Sequence, residues 1–266
     1  MFNWPLFLAL TLACMPGAAI ALPGTVKTIV QIAERQTSAD ANLPSTGVLV
    51  AISFVQTMLL FAVAAAVGTA LAPLVGLHAP VFEALVSGEA LWPALRTQLP
   101  ASLSLGIGGA AVFLALYYWV FRPRLDETTV RAMETLRNRL GMWGRLFYGG
   151  IAEEVLTRWG LMTLLAWLGA LIAGSPNAAV MWTAIVISGV LFGLGHAPSY
   201  LAAGCQRSPL FFVTMISLNL WASLLFGWLF WQYGLEAAMV GHMLFHLAWW
   251  PFDRRVYGRT VRVADA

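Results

Sequence analysis

One run of side chains stands out for chemistry in this chain: Glu153-Glu154-Val155-Leu156-Thr157-Arg158, three formal charges inside a stretch otherwise apolar enough to cross a bilayer. On the membrane-insertion scale a central charge costs about 2.5–3.5 kcal/mol and a Leu returns only about 0.3–0.6, so each charge needs roughly half a dozen Leu equivalents to offset it. Glu154 and Arg158 are four apart, share a helical face, and stand in the order that suits the helix dipole. That pair by itself can be a packing device. Glu153 is turned by about 100° from it, lacks the in-helix partner, and must face another helix's polar group or water, which makes it the stronger functional candidate.

Three of the four histidines also fall in apolar stretches. His196 ends one, and His242 and His246 lie four apart on one face of the last; His78 is in a loop between spans. Counting from the basic ends of their helices at about 1.5 Å per residue, Glu153 lies about 12 Å deep, His246 about 10 Å and His242 about 6 Å deeper still. His196 enters from the same side. A carboxylate among two or three imidazoles supports two chemistries. In one, a general base activates water and imidazole donors stabilise the oxyanion of a tetrahedral intermediate, with no cofactor required. In the other, His196, His242 and His246 hold a zinc ion, for which His at i and i+4 are suitably spaced. No Ser or Cys is placed as a nucleophile, and the HExxH string is absent. Cys14 and Cys205 offer neither a disulfide framework nor a CxxC metal site.

The elements that must position these groups follow from composition. Of 266 residues 60% are hydrophobic and 10% charged, against roughly 25% charged in a soluble domain, and the mean hydropathy is +0.77. An ordinary soluble enzyme is excluded, and the ten-residue alternation of a membrane β-barrel is absent. The fold expected is an all-α, polytopic transmembrane bundle of about seven spans, near Trp4–Leu22, Gly47–Ala72, Leu103–Phe121, Leu146–Ile172, Ala179–Ala197, Leu210–Trp231 and Leu235–Phe252, with breaks at Pro23, Pro73, Pro100, Pro123, Pro176, Pro198 and Pro209. Six Arg (122, 124, 131, 137, 139 and 145) crowd one loop and four (254, 255, 259 and 262) the C-terminal end, so both are expected to be cytoplasmic. Span parity then puts the N-terminus outside and the site in the cytoplasmic half. Ala19-Ile20-Ala21 resembles a cleavage site, but no basic n-region precedes it, and cleavage would invert the Arg-rich loop; an uncleaved first span is expected.

This division gives an N-terminal region 1–121 with three spans, a cytoplasmic basic loop or amphipathic helix 122–145, a four-span core 146–252 and a cytoplasmic tail 253–266. Residues 24–40 read as a linker or interfacial helix. The basic segments read as topological anchors, and no nucleic-acid motif is present. Trp228, Trp231, Tyr233, Trp249 and Trp250 read as interfacial belt residues, Gly189-x-x-x-Gly193 as a close helix approach, Asn219 and Gln232 as interhelical or interface polar groups, and Glu236 as remote from the site.

In order, Glu153-Glu154-x-x-x-Arg158, Phe192-x-x-x-His196 and His242-x-x-x-His246 resemble the motifs of the CAAX-protease and bacteriocin-processing (CPBP or Abi) family of intramembrane endopeptidases, over roughly residues 145–252. The resemblance implies that Glu153 is the general base acting with His196 on a water, that His242 and the residue four later assist the oxyanion, and that Glu154 and Arg158 orient their helix. The family carries Asn or Asp at that later position; His246 stands there instead, which leaves both the oxyanion and the zinc arrangements open. The function expected is hydrolysis of a peptide bond in a peptide or protein substrate in or at the membrane. A zinc-dependent version, a catalytically silent immunity or scaffold protein and a proton-coupled transporter are the rival readings. The near-replacement of Lys by Arg points to a GC-rich genome, hence a bacterial inner membrane.

Overall fold

The computed structural model describes residues 1–36 and 44–264, with the helical backbone alone for 32–36 and 257–264. Asp40, the end of the expected 24–40 linker and the last two residues of the tail lie outside the described residues, as do the side chains of Glu34, Arg35, Arg259 and Arg262. Among the described residues all regular structure is helical: α1 (Trp4–Ala13), α2 (Met15–Gln36), α3 (Thr46–Leu71), α4 (Pro80–Ser87), α5 (Leu91–Arg96), α6 (Leu99–Ala115), α7 (Glu127–Gly144), α8 (Thr163–Ala173), α9 (Ala178–Gly195), α10 (Ala197–Ala202), α11 (Pro209–Tyr233) and α12 (Leu235–Ala264). Wider π-helical turns extend α6 over Leu116–Phe121 and fill Arg145–Glu153 and Val155–Met162 ahead of α8.

Helix starts follow local chemistry. Asn3, Ser45, Asp126, Asn177 and Ser208 each accept a bond from the backbone N–H three residues on, satisfying one of the orphan donors of the first turn. Gly234, at φ 111°, makes the tight reversal between α11 and α12, where a Cβ would collide with Pro80. Gly141, at φ 67°, kinks α7 just before the Glu-bearing span.

Among the described residues six helical stretches are long and apolar enough to cross a membrane: Trp4–Gln31, Thr46–Val75, Leu99–Arg124, Glu127–Ala173, Ala178–Ala202 and Pro209–Tyr233. α12 is not among them. It carries Glu236, His242 and His246, and it packs between α6 and α11 and against Arg145–Glu153. A helix in the interior of a bundle can be less apolar than one facing lipid. Outward-facing Val48, Ile52, Val55, Leu59, Leu60 and Val63 coat α3 instead, an apolar surface of the kind that lipid covers.

Several boundaries differ from the expectation. The break at Pro23 is not there: α2 continues through it to Gln36, so of the two alternatives for this stretch residues 24–36 take the helix, continuous with what precedes it, and the interruption falls at Cys14. One missing N–H is tolerable in a membrane helix, where other groups take up the freed carbonyl. The stretch between the second and third spans folds into α4 and α5, and α12 runs past the expected end of the last span at Phe252. Part of the basic loop is also not a surface anchor, since Arg137 and Arg145 are buried. Trp249 is buried too, and is not a belt residue.

Candidate active site

The six side chains singled out by their types fall into one region, distributed over three elements. Glu153, Glu154 and Arg158 come from the π-helical stretch; its wider turn still leaves Glu154 Oε2 and Arg158 Nε 3.2 Å apart. π-turns inside longer helices recur at functional sites, because the extra residue per turn re-aims neighbouring side chains. His196 sits at the junction of α9 and α10, where the chain turns before Pro198. His242 and His246 project from α12.

The two glutamates have different surroundings. Glu154 is fully buried, ion-paired with Arg158, and accepts from His242 Nδ1 at 2.7 Å. Glu153 keeps 17% of its side chain exposed and places Oε1 3.9 Å from Nε2 of His196, itself 29% exposed. That separation is too long for a direct hydrogen bond and suits a water touching both groups. The His196 ring is oriented by its other nitrogen: Nδ1 lies 2.8 Å from the Phe192 carbonyl oxygen. A carbonyl can only accept, so Nδ1 carries a proton, and in the neutral ring Nε2 is left with the lone pair that faces Glu153.

Aromatic rings frame the buried half of the site. His242 is stacked between Phe226, 4.6 Å between centroids, and His246, 4.7 Å. The Arg158 guanidinium lies 5.8 Å from the Phe192 ring and 5.7 Å from Phe226. His246 joins this cluster by stacking; its Nδ1 is buried without a hydrogen-bond partner. Its Nε2 lies over Gly149, 2.6 Å from where a Cβ would stand. A side chain at 149 would therefore displace the imidazole.

The structure thus brings Glu153 to His196, and Glu154 to Arg158 and His242. It does not gather the three imidazoles: among the described residues no three His, Cys, Asp or Glu side chains form a metal-ligating group. Gly189 does mark a close approach, its Cβ position lying 2.5 Å from Ser223 Cβ of α11. Asn219 donates to the Met215 carbonyl within its own helix at 2.8 Å. Glu236 accepts from the Phe82 N–H at 2.8 Å and ties α4 to the start of α12, at the end of the bundle away from Asp253.

Sequence reasoning missed a second polar cluster beside the site. Asp253, fully buried, accepts from Arg137 Nη2 at 3.0 Å and from Arg145 Nη2. Arg145 also donates to the Arg137 carbonyl at 3.0 Å, and Arg137 to the Tyr117 hydroxyl at 2.9 Å. Both guanidiniums lie over Trp249, at 4.9 and 5.5 Å, and Trp249 in turn stacks on His246 at 6.3 Å. The available signal was spacing: His242, His246, Trp249 and Asp253 follow i, i+4, i+7, i+11 on one face of α12.

Residues 135–248 match the family model of type II CAAX prenyl endopeptidase Rce1-like proteins. The match covers less than half of the chain and takes in all six residues above. No curated protein matches the chain, and no solved structure does. As the order of the motifs implied, the chain carries over residues 135–248 an Rce1-like domain of the CAAX-protease type.

Proposed function

We propose that the protein is an intramembrane endopeptidase that cleaves a peptide bond with a water activated by Glu153 and His196. The observation that carries this reading is the contrast between two adjacent glutamates: one open to water beside an imidazole lone pair, the other sealed against a guanidinium and an imidazole. Glu153 takes a proton from the water as its oxygen attacks the scissile carbonyl carbon, and returns that proton to the amine that leaves. His196 accepts the water's second hydrogen bond and fixes its direction of attack.

His242 is held through Nδ1 by Glu154, which leaves Nε2 as the atom facing a substrate. When the ring carries its second proton, Nε2 donates to the oxyanion, whose charge balances that of the imidazolium. His246 stands where the family's Asn or Asp stands and supplies a second ring nitrogen to the same side. Arg158 neutralises Glu154 inside the bundle.

The preferred reading uses no metal. The seventh crossing by α12, the cytoplasmic placement of the Arg-rich end and a bacterial inner membrane belong to the same reading; span parity and the two Arg clusters support the first two, and the near-replacement of Lys by Arg the last. The substrate is a peptide or protein segment at the membrane, and the probe of first choice is an internally quenched peptide ending in a prenylated CAAX box. With the purified protein in lipid nanodiscs, Glu153→Gln is expected to lower turnover of that peptide by about 10²–10⁴-fold with unchanged folding. Turnover equal to wild type would remove Glu153 from the mechanism. No hydrolysis by the wild type would favour the immunity or scaffold reading.

A further inference from the structure

The contacts between α12 and the Glu-bearing span form an antiparallel ladder. His242 meets Glu154, Met243 meets Gly150, His246 meets Gly149, and Asp253 meets Arg145. The first three rungs are a hydrogen bond and close packing on glycine. The last is ionic, draws in α7 through Arg137, and lies on the same stripe of α12 as both histidines.

Two properties of this ionic rung separate it from ordinary stabilisation. It is buried, with Asp253 fully enclosed, Arg145 1% exposed and Arg137 8%, and buried ion pairs seldom improve on a well-packed apolar substitute. Their best-attested use is to specify register, because a shifted alignment strands a charge in a dry interior. Here a slip of α12 by one helical turn, about 5.4 Å, would strand Asp253 and both guanidiniums, and would carry His242 and His246 away from Glu154 and Gly149. The glycine rungs and the His242–Glu154 bond favour the same alignment, and the ionic rung adds to them the cost of stranded charge.

We propose that Asp253, by bridging Arg137 and Arg145, is a positioning residue that fixes the axial register of α12 and thereby sets His242 and His246 against the Glu153–Glu154 span. The catalytic part of this statement rests on the proteolytic reading above; the register part does not. Asp253 touches no reacting atom, and it acts through Arg145, Trp249 and the helix itself.

A cross-link reads the register directly. A Cβ built on Gly150 lies 3.5 Å from the Cβ of Met243, within the span a disulfide bridges. In a Cys14→Ser/Cys205→Ser background, the pair Gly150→Cys/Met243→Cys is expected to oxidise readily with copper phenanthroline. Adding Asp253→Asn should slow that reaction several-fold. Should the Asn variant fail to fold, the apolar replacement Arg137→Met/Arg145→Met/Asp253→Leu takes its place, because removing the whole ion cluster preserves the fold better than stranding part of it.

On the prenylated CAAX peptide, either register variant should lose about 10²-fold in kcat, as for a misplacement of about 1 Å, with KM little changed. Forming the 150–243 disulfide in the variant should restore much of the loss, which a merely destabilised protein would not do. Equal cross-linking rates with and without Asp253 overturn the proposal whatever the enzyme does. If Glu153→Gln retains wild-type turnover while Asp253→Asn slows cross-linking, the proteolytic reading fails and the register lock stands.

Discussion

Glu153 and Glu154 are adjacent in sequence, yet the consequences of neutralising them differ. Glu154→Gln leaves Arg158 buried beside a neutral amide and weakens the hold on His242 Nδ1. Breaking one side of a buried pair costs about 3–5 kcal/mol, so this variant should melt well below wild type. Glu153→Gln removes a charge that faces water and His196, and its melting temperature should stay near that of wild type while its turnover falls. Thermal denaturation of the two variants side by side checks the assignment; equal destabilisation would contradict it. His246 allows a second comparison. If its nitrogen serves only as a donor, His246→Asn keeps much of the activity and His246→Ala loses about 10²–10³-fold, as for one lost oxyanion donor. If it binds zinc, Asn is a poor replacement and metal and activity disappear together. Metal content and turnover of purified wild type and His246→Asn decide between the two chemistries, and stoichiometric zinc in the wild type, lost with activity in the variant, would reverse the preference for water alone.

At the scale of elements, the site depends on how α12 lies along the Glu-bearing span. Gly149 provides the floor for His246, and Gly149→Ala would push a methyl into Nε2 from 2.6 Å. Turnover should fall in that variant, and it should fall less when His246→Asn is also present, because the shorter side chain leaves room for the methyl. Additive losses in a double-mutant cycle would show that the two positions do not share this space. Asp253, beyond the apolar part of α12, adds a dependence on pH. Burial favours its neutral form, but the guanidiniums of Arg137 and Arg145 outweigh burial and hold the carboxyl below its ordinary range. A depressed folded-state value means that the stabilisation is present above the unfolded carboxylate range and is lost as pH falls through the folded value. The difference in melting temperature between wild type and Asp253→Asn should therefore be complete at neutral pH, persist into mild acid, and close only below the range where free carboxylates titrate.

For the whole molecule, the Arg clusters and the parity of the helices bear on one orientation in the membrane. The ion cluster and His196 lie toward one end of the bundle, and α4, α5 and the start of α12 toward the other, where Leu235 N–H donates to the His78 carbonyl. Thr128 and Arg255 are exposed at the first end and Glu89 at the second. With the native cysteines replaced, Thr128→Cys and Arg255→Cys should resist a membrane-impermeant maleimide in intact cells and react after permeabilisation, whereas Glu89→Cys should react from outside. The reverse pattern would invert the proposed topology and move the site to the other leaflet.

The sequence alone determined what local rules govern. An apolar chain with few charges must satisfy its backbone internally, hence the helices; side-chain caps at Asn3, Ser45, Asp126, Asn177 and Ser208 mark their starts. The four-residue spacing of Glu154 and Arg158 survives even in π-helical turns. Pro23 misled the placement of a boundary, because a long membrane helix absorbs one missing donor. Only the tertiary structure decided the other partners across helices: that Glu154, paired in sequence with Arg158, also holds His242; that Glu153, which the motif order joined to His196, stands 3.9 Å from it; and that Arg137, Arg145 and Trp249 turn inward around Asp253. Spacing fixes which side chains share a face of one helix. The rotation and axial register of one helix against another depend on how both surfaces interlock, on glycines such as Gly149 and charges such as Asp253 acting over about a hundred residues of intervening chain, and no local pattern specifies them.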